Sequence, residues 1–74
     1  MFHLPQYIMM STYKIQFTDE TRDNVIRLVK DYSHDILVDH VDDDSITITI
    51  ESDEAETIYN NLLEAIGRQV YARK

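Results

Sequence analysis

Residues 46–50 alternate strictly between isoleucine and threonine, and this pattern constrains the fold more than any other. Ile46, Ile48 and Ile50 fall on one side of an extended chain, as expected for a strand with one buried face. An aspartate run, residues 42–44, precedes this strand and suits a tight turn, because Asp tolerates turn dihedrals. Branched residues fill Ile36 to Val41 before that turn, so residues 36–51 are predicted to form a β-hairpin.

The facing of the first hairpin strand is ambiguous. Ile36, Val38 and His40 share one side in regular alternation, whereas Leu37, Asp39 and Val41 share the other. We predict that the first set faces inward, because burying the Asp39 carboxylate is costly.

Another strand and two helices complete the pattern. Residues 12–18 alternate and place Tyr13, Ile15 and Phe17 on one face. A helix is predicted over about residues 19–32, with a buried stripe at residues 25, 26, 28, 29 and 32. The other helix is predicted to begin at Ser52 or Asp53, with Asp53 and Glu56 at the spacing of a capping box. Its apolar stripe is residues 55, 58, 59, 62, 63 and 66.

The end of the chain has two readings. Gly67 is a natural helix stop, but Val70 continues the apolar stripe four residues after Ile66. The helix therefore either runs through Gly67 or ends there, and in the second case residues 69–72 form a short fourth strand.

The order β-α-β-β-α predicts an α+β domain with a three-stranded antiparallel sheet. A right-handed crossover leaves room for the third strand between the first two, which gives the order 1-3-2 with both helices on one face. This plan resembles the split β-α-β arrangement of ferredoxin-like folds, with the short fourth strand either missing or supplied by the tail. The resemblance covers residues 11–72 at the level of pattern and implies no function.

The length of the chain fits one small domain, residues 11–74. An N-terminal arm, residues 1–10, precedes it and is predicted to be disordered or outside the domain. No apolar run approaches the length of a membrane span, and no cleavable signal pattern is present. There is no cysteine, which suits a reducing cytoplasm and excludes thiolate metal sites. We expect a cytoplasmic protein without membrane contact.

Acidic residues dominate the second half of the chain. From residue 35 to residue 64 there are ten acids and no Lys or Arg, and the net charge of the whole chain is −7. Such charge disfavours direct nucleic acid binding and favours a protein partner with a basic surface. The predicted partner-binding face is Asp39, Asp42, Asp43, Asp44, Asp53, Glu54, Glu56 and Glu64. The simpler interpretation of the same residues is a solvated, soluble surface.

Specific chemistry has little support in the sequence. His40 and the aspartate run lack the spacing of a calcium loop and the several His or Cys ligands of a zinc site, so no metal and no cofactor are predicted. His34 and His40 lack a nucleophile motif and a pocket, so no catalytic residues and no enzyme activity are predicted. Tyr13 and Phe17 could stack bases in an RNA-binding sheet, but the basic residues of such a surface are missing.

These observations lead to one functional hypothesis with alternatives. The chain is expected to be a non-catalytic protein-binding module and a homodimer. The sharper version is a viral or plasmid-type inhibitor of a nucleic-acid-handling enzyme such as a CRISPR effector, which its carboxylates would bind by imitating DNA. Self-association is expected at the edge strand, through Tyr13, Lys14, Ile15, Gln16 and Phe17. The alternatives are a metal- or small-ligand-binding regulatory domain that uses the hairpin acids and His40, a self-associating structural domain, and a domain adapted to high salt.

Overall fold

A computed structural model describes residues 10–71, and these form three strands and two helices in the predicted β-α-β-β-α order. Residues 1–9 of the predicted arm and residues 72–74 lie outside this range. Met10, which the sequence placed in the arm, is the first residue of a strand. The elements are β1 Met10–Gln16, α1 Arg22–Tyr32, β2 Ile36–Val41, β3 Ser45–Glu51 and α2 Ala55–Ile66, which is followed by a π-helical turn, Gly67–Tyr71.

The sheet has the predicted antiparallel order β1-β3-β2. β1 pairs with β3 from Met10 opposite Glu51 to Gln16 opposite Ser45. β2 pairs with the other side of β3, beginning with Ile36 opposite Ile50. The strand with the cleanest Ile-Thr alternation, β3, is therefore the central one, since within residues 10–71 it alone pairs with a strand on both sides.

One face of the sheet carries the core. The side chains of Ile46, Ile48 and Ile50 are fully buried and pack in one cluster with Val25 of α1 and Leu62 of α2. Both helices therefore cover the same face, as predicted. A fully buried branched aliphatic side chain contributes about 1.5–3 kcal/mol relative to an exposed one, so these isoleucines are a main source of stability.

The predicted facing of β2 is wrong at its second half. The register shifts between Val38 and His40, so Asp39 and His40 together oppose Thr47, and Val41 lies opposite Ile46. A bulge of this kind inserts one residue and reverses the alternation after it. His40 consequently lies on the exposed face of the sheet and Val41 packs against the core.

Both helices begin later than predicted, and neither has a side-chain cap. Thr18 and Thr21 instead close a turn before α1, in which the Thr18 N–H donates to Thr21 Oγ1 at 3.0 Å. Before α2 the Glu54 N–H donates to Ser52 Oγ at 3.0 Å, so the predicted Asp53 capping box does not form. In each case a side-chain oxygen satisfies a backbone donor in a turn ahead of the helix.

The helical reading of the tail is confirmed. Gly67 has helical dihedrals (φ −57°, ψ −44°), and its N–H donates to the carbonyls of Glu64 and Leu63. Residues 69–71 belong to the π-helical turn, and Ala72 lies outside the described residues, so a fourth strand is not confirmed. Within residues 10–71, neither helix combines the length and the apolar character that crossing a bilayer would need.

Candidate functional site

The first group of predicted partner-binding acids is the Asp turn, residues 42–44, which joins β2 to β3. All three side chains are exposed. The Asp42 N–H donates to the Ser45 carbonyl at 2.8 Å, and the Asp44 carbonyl accepts the Phe17 N–H at 2.9 Å. The first bond closes the turn, the second attaches it to the residue that follows β1, and the carboxylates remain in solvent.

The second group, which we call the α2 acids, is Asp53, Glu54 and Glu56 at the start of α2. These side chains are also exposed. Asp35 and Glu51 lie at the same end of the sheet, because the Glu51 N–H donates to the Asp35 carbonyl at 2.9 Å. This end of the domain therefore concentrates more carboxylates than the α2 acids alone.

The two groups lie at opposite ends of β3. A strand rises about 3.3 Å per residue, so the Asp turn and the α2 acids are roughly 20 Å apart. Six of the eight acids predicted to share one side of the protein are thus divided between the two ends of the sheet, and Glu64 lies apart from both groups near the end of α2. Within residues 10–71, Glu64 forms an ion pair with Arg68 at 3.0 Å and the Asp42 carboxylate lies 2.7 Å from His40 Nε2, whereas the other six predicted acids have no ion-pair partner.

Asp39 is separate from both groups. It occupies the bulge on the exposed sheet face, where the Thr49 hydroxyl donates to its Oδ2. Thr49 Oγ1 also lies 3.2 Å from Thr12 Oγ1, so a short chain of hydrogen bonds crosses all three strands on this face. Asp39 is therefore held by the sheet, whereas the carboxylates of the Asp turn are held only at Asp42.

The hairpin does not assemble a metal centre in the part of the chain that the structure describes. No group of three or more His, Asp or Glu side chains converges there in a way that could hold an ion. Among the described residues, the His40 ring forms a hydrogen bond only with Asp42, whose carboxylate lies 2.7 Å from Nε2. His34 is exposed, in the loop between α1 and β2.

The predicted self-association residues of β1 divide into two sets. Ile15 and Phe17 are buried in the core, at 5% and 6% exposure, so their side chains do not reach a partner. Lys14 and Gln16 are exposed, and Tyr13 is half-buried beneath α2. Of the five predicted residues, only Lys14, Gln16 and part of Tyr13 therefore offer side chains for contact with a partner.

A groove beside β1 was not predicted. Leu63 and Tyr71 are 38% and 44% exposed, and they line a groove with Tyr59, Gly67 and residues 14–16 of β1. The sequence placed Leu63 in the buried stripe, but Ala65 takes the buried position in its place. The width of the apolar stripe could have predicted this groove, since a helix on a three-stranded sheet cannot bury every apolar residue that α2 carries.

Comparisons with protein-family models, with curated proteins and with solved structures found no match to this chain.

Proposed function

We propose that this chain is a small acidic protein-binding module that inhibits or regulates a basic, nucleic-acid-handling protein. A phage- or plasmid-type inhibitor of a CRISPR effector is the sharpest form of the proposal. The observation that carries it is the pair of exposed carboxylate groups, the Asp turn and the α2 acids, at the two ends of β3.

The reason is charge complementarity. A protein that holds nucleic acid presents Lys and Arg in rows that contact successive phosphates. Carboxylates fixed on a rigid domain about 20 Å apart can contact two sections of such a row at once. Because these acids make few ion pairs within residues 10–71, their charge is available to a partner.

The ferredoxin-like character of the fold is part of the same proposal. We regard the domain as a shortened ferredoxin-like plan in which, within residues 10–71, no fourth strand covers β1. A cytoplasmic location is also proposed, since a nucleic-acid-handling target of this kind acts there.

The test is capture from host lysate with charge-matched variants. The Asp turn is neutralised in Asp42→Asn/Asp43→Asn/Asp44→Asn. The control Asp19→Asn/Asp23→Asn/Asp31→Asn removes the same charge from exposed positions around and on α1. Each protein is immobilised and exposed to lysate at low and at high salt, and the captured protein is then challenged with duplex DNA.

The wild-type chain and the control are expected to capture the same basic protein. High salt should release it, because screening weakens charge-guided contacts, and DNA should displace it. The Asp-turn variant should capture at least about tenfold less, which corresponds to roughly 1.4 kcal/mol of binding free energy. Equal capture by both variants, or binding that persists at high salt, would contradict the proposal.

A further inference from the structure

Within residues 10–71, no strand pairs with the outer edge of β1, which we call the open edge, and the backbone groups that face it form a defined set. The Phe17 N–H donates to the Asp44 carbonyl at 2.9 Å, one step beyond the pair Gln16–Ser45. In an antiparallel pair, successive residues direct their backbone groups alternately toward and away from the neighbour. Ser11, Tyr13 and Ile15 therefore bond to β3, and the even-numbered residues direct their N–H and C=O groups to the open edge.

The strand β1 itself also lacks acidic side chains. β1 carries no carboxylate, and Lys14 is its one charged residue. Two chains of net charge −7 repel each other overall, but the strand β1 itself holds no carboxylate, and Asp53 and Glu56 at the start of α2 lie only beside its Ser11 end, where they line a cleft with Ser11 and Tyr13. A second copy can therefore approach edge to edge without placing carboxylates directly opposite one another.

We propose that β1 pairs antiparallel with β1 of a second copy, about a twofold axis at Tyr13, so that the two three-stranded sheets become one. The second copy would take the position that a fourth strand has in the ferredoxin-like plan. The inference does not depend on the proposed function, because it concerns backbone groups of β1 and not the acidic residues.

The alternation fixes which registers are allowed. Only registers that place even-numbered residues opposite even-numbered residues can form hydrogen bonds across the edge. The register centred on Tyr13 pairs the whole of Met10–Gln16 and places Thr12 opposite the partner's Lys14. The next allowed register, centred on Lys14, shortens the overlap and places two like charges directly opposite, which is destabilising.

The helices fit the same arrangement. α2 packs on both β1 and β3, so its axis lies above the space between these strands. With strands about 4.8 Å apart, the twofold axis would place the two α2 axes about 10 Å apart. Packed helices lie 8–10 Å apart, so the exposed Leu63 and Tyr71 and the half-buried Tyr59 would be covered by the partner's α2.

Cysteine cross-linking tests the register directly, since the chain has no cysteine of its own. Thr12→Cys and Lys14→Cys are made as separate single variants at exposed positions. Hydrogen-bonded residue pairs have Cα atoms about 5.5 Å apart, within the range that a disulfide spans. The mixed variants should form a disulfide-linked dimer at least about tenfold faster than either variant alone.

Sedimentation of the uncross-linked chain should give twice the 8.8 kDa mass at high protein concentration. Lys14→Pro removes an N–H that the proposal directs to the open edge. This variant should remain folded by circular dichroism and should sediment as a monomer. Lys14→Ala is the control and should remain a dimer.

Faster cross-linking of Lys14→Cys alone would overturn the register. A wild-type chain that stays monomeric at all concentrations would overturn the dimer. The dimer would be overturned in the same way if β1 paired with a strand of another protein and not with a second copy. If such a monomer still captured a basic protein through the Asp turn, only this inference would fail.

Discussion

The rings of Tyr13 and Tyr59 stack with their centroids 3.9 Å apart and their planes 12° from parallel. Tyr13 lies on the edge strand β1 and Tyr59 on α2, so this pair joins the strand with a single neighbour to the helix above it. Stacked aromatic pairs contribute about 0.5–1.5 kcal/mol beyond the area that they bury. The contact therefore helps to hold β1 in place at the edge of the sheet.

A double-mutant cycle should detect this coupling. We expect Tyr13→Ala and Tyr59→Ala each to lower the free energy of unfolding, and the double variant to lower it by about 0.5–1.5 kcal/mol less than the sum. Urea titrations at one fixed protein concentration measure it. The pair Tyr32→Ala and Tyr59→Ala serves as the control, because Tyr32 is on α1 and is 38% exposed. Strict additivity for Tyr13 and Tyr59 would show that the stack contributes nothing.

The bulge predicts a second coupling, between Asp39 and Thr49. Removing either partner, in Asp39→Ala or Thr49→Val, removes the hydrogen bond between them, which is worth about 0.5–1.5 kcal/mol. Once Thr49→Val is present, Asp39→Ala should have little further effect on the urea midpoint. Asp43→Ala is the matched control in the neighbouring turn, and it should leave stability within about 0.5 kcal/mol. A loss at Asp39 that is unchanged by Thr49→Val would assign the effect to the bulge backbone instead.

Gly67 predicts a stabilising substitution. Its dihedrals are helical, and a Cβ atom added there would meet no atom within 4 Å. Gly67→Ala should therefore raise the free energy of unfolding by about 0.5–1 kcal/mol, since Ala loses less backbone entropy in a helix. Thermal and urea unfolding measure the change. A decrease would contradict the expectation and would mean that Gly67 does not keep these helical dihedrals in solution.

Salt should act with opposite sign on the two proposed associations. Screening weakens attraction between the acids and a basic partner, so that dissociation constant should rise with sodium chloride. Screening also reduces repulsion between two chains of charge −7, so the dimer should become tighter over the same range. Sedimentation and partner binding at matched salt concentrations measure both. If both constants shifted in the same direction, one of the two associations would not be governed by charge.

Varying the salt concentration also tests the alternative that this is a domain adapted to high salt. The core cluster of isoleucines, Val25 and Leu62 is apolar and does not depend on ions, so the domain should stay folded at low ionic strength. Circular dichroism in about 10 mM buffer measures this. Unfolding on removal of salt would favour adaptation to high salt over a partner-binding role for the acids.

Local pattern was sufficient for the element order and for the sheet order. The Ile46–Thr47–Ile48 alternation identified the central strand, because period-two patterning reports directly on which face is buried. The turn at residues 42–44 followed from the backbone preferences of Asp. The exposure of the acids was also predictable, since unpaired charges are rarely buried.

Tertiary structure decided the features that depend on distant neighbours. Asp39 forms a bulge because Thr49 and the β3 register accommodate an extra residue, and regular alternation in β2 could not indicate that. Leu63 is exposed because α2 must choose which part of a wide apolar face meets the sheet. The Asp turn and the α2 acids lie at two ends of the domain because β3 separates residues that are close in sequence. The sequence by itself determined which segments are strands and helices and that the surface is acidic, because these follow from the residues in one segment. Only the packed sheet determined where the charges, the groove and the open edge lie, because those positions depend on which segments become neighbours.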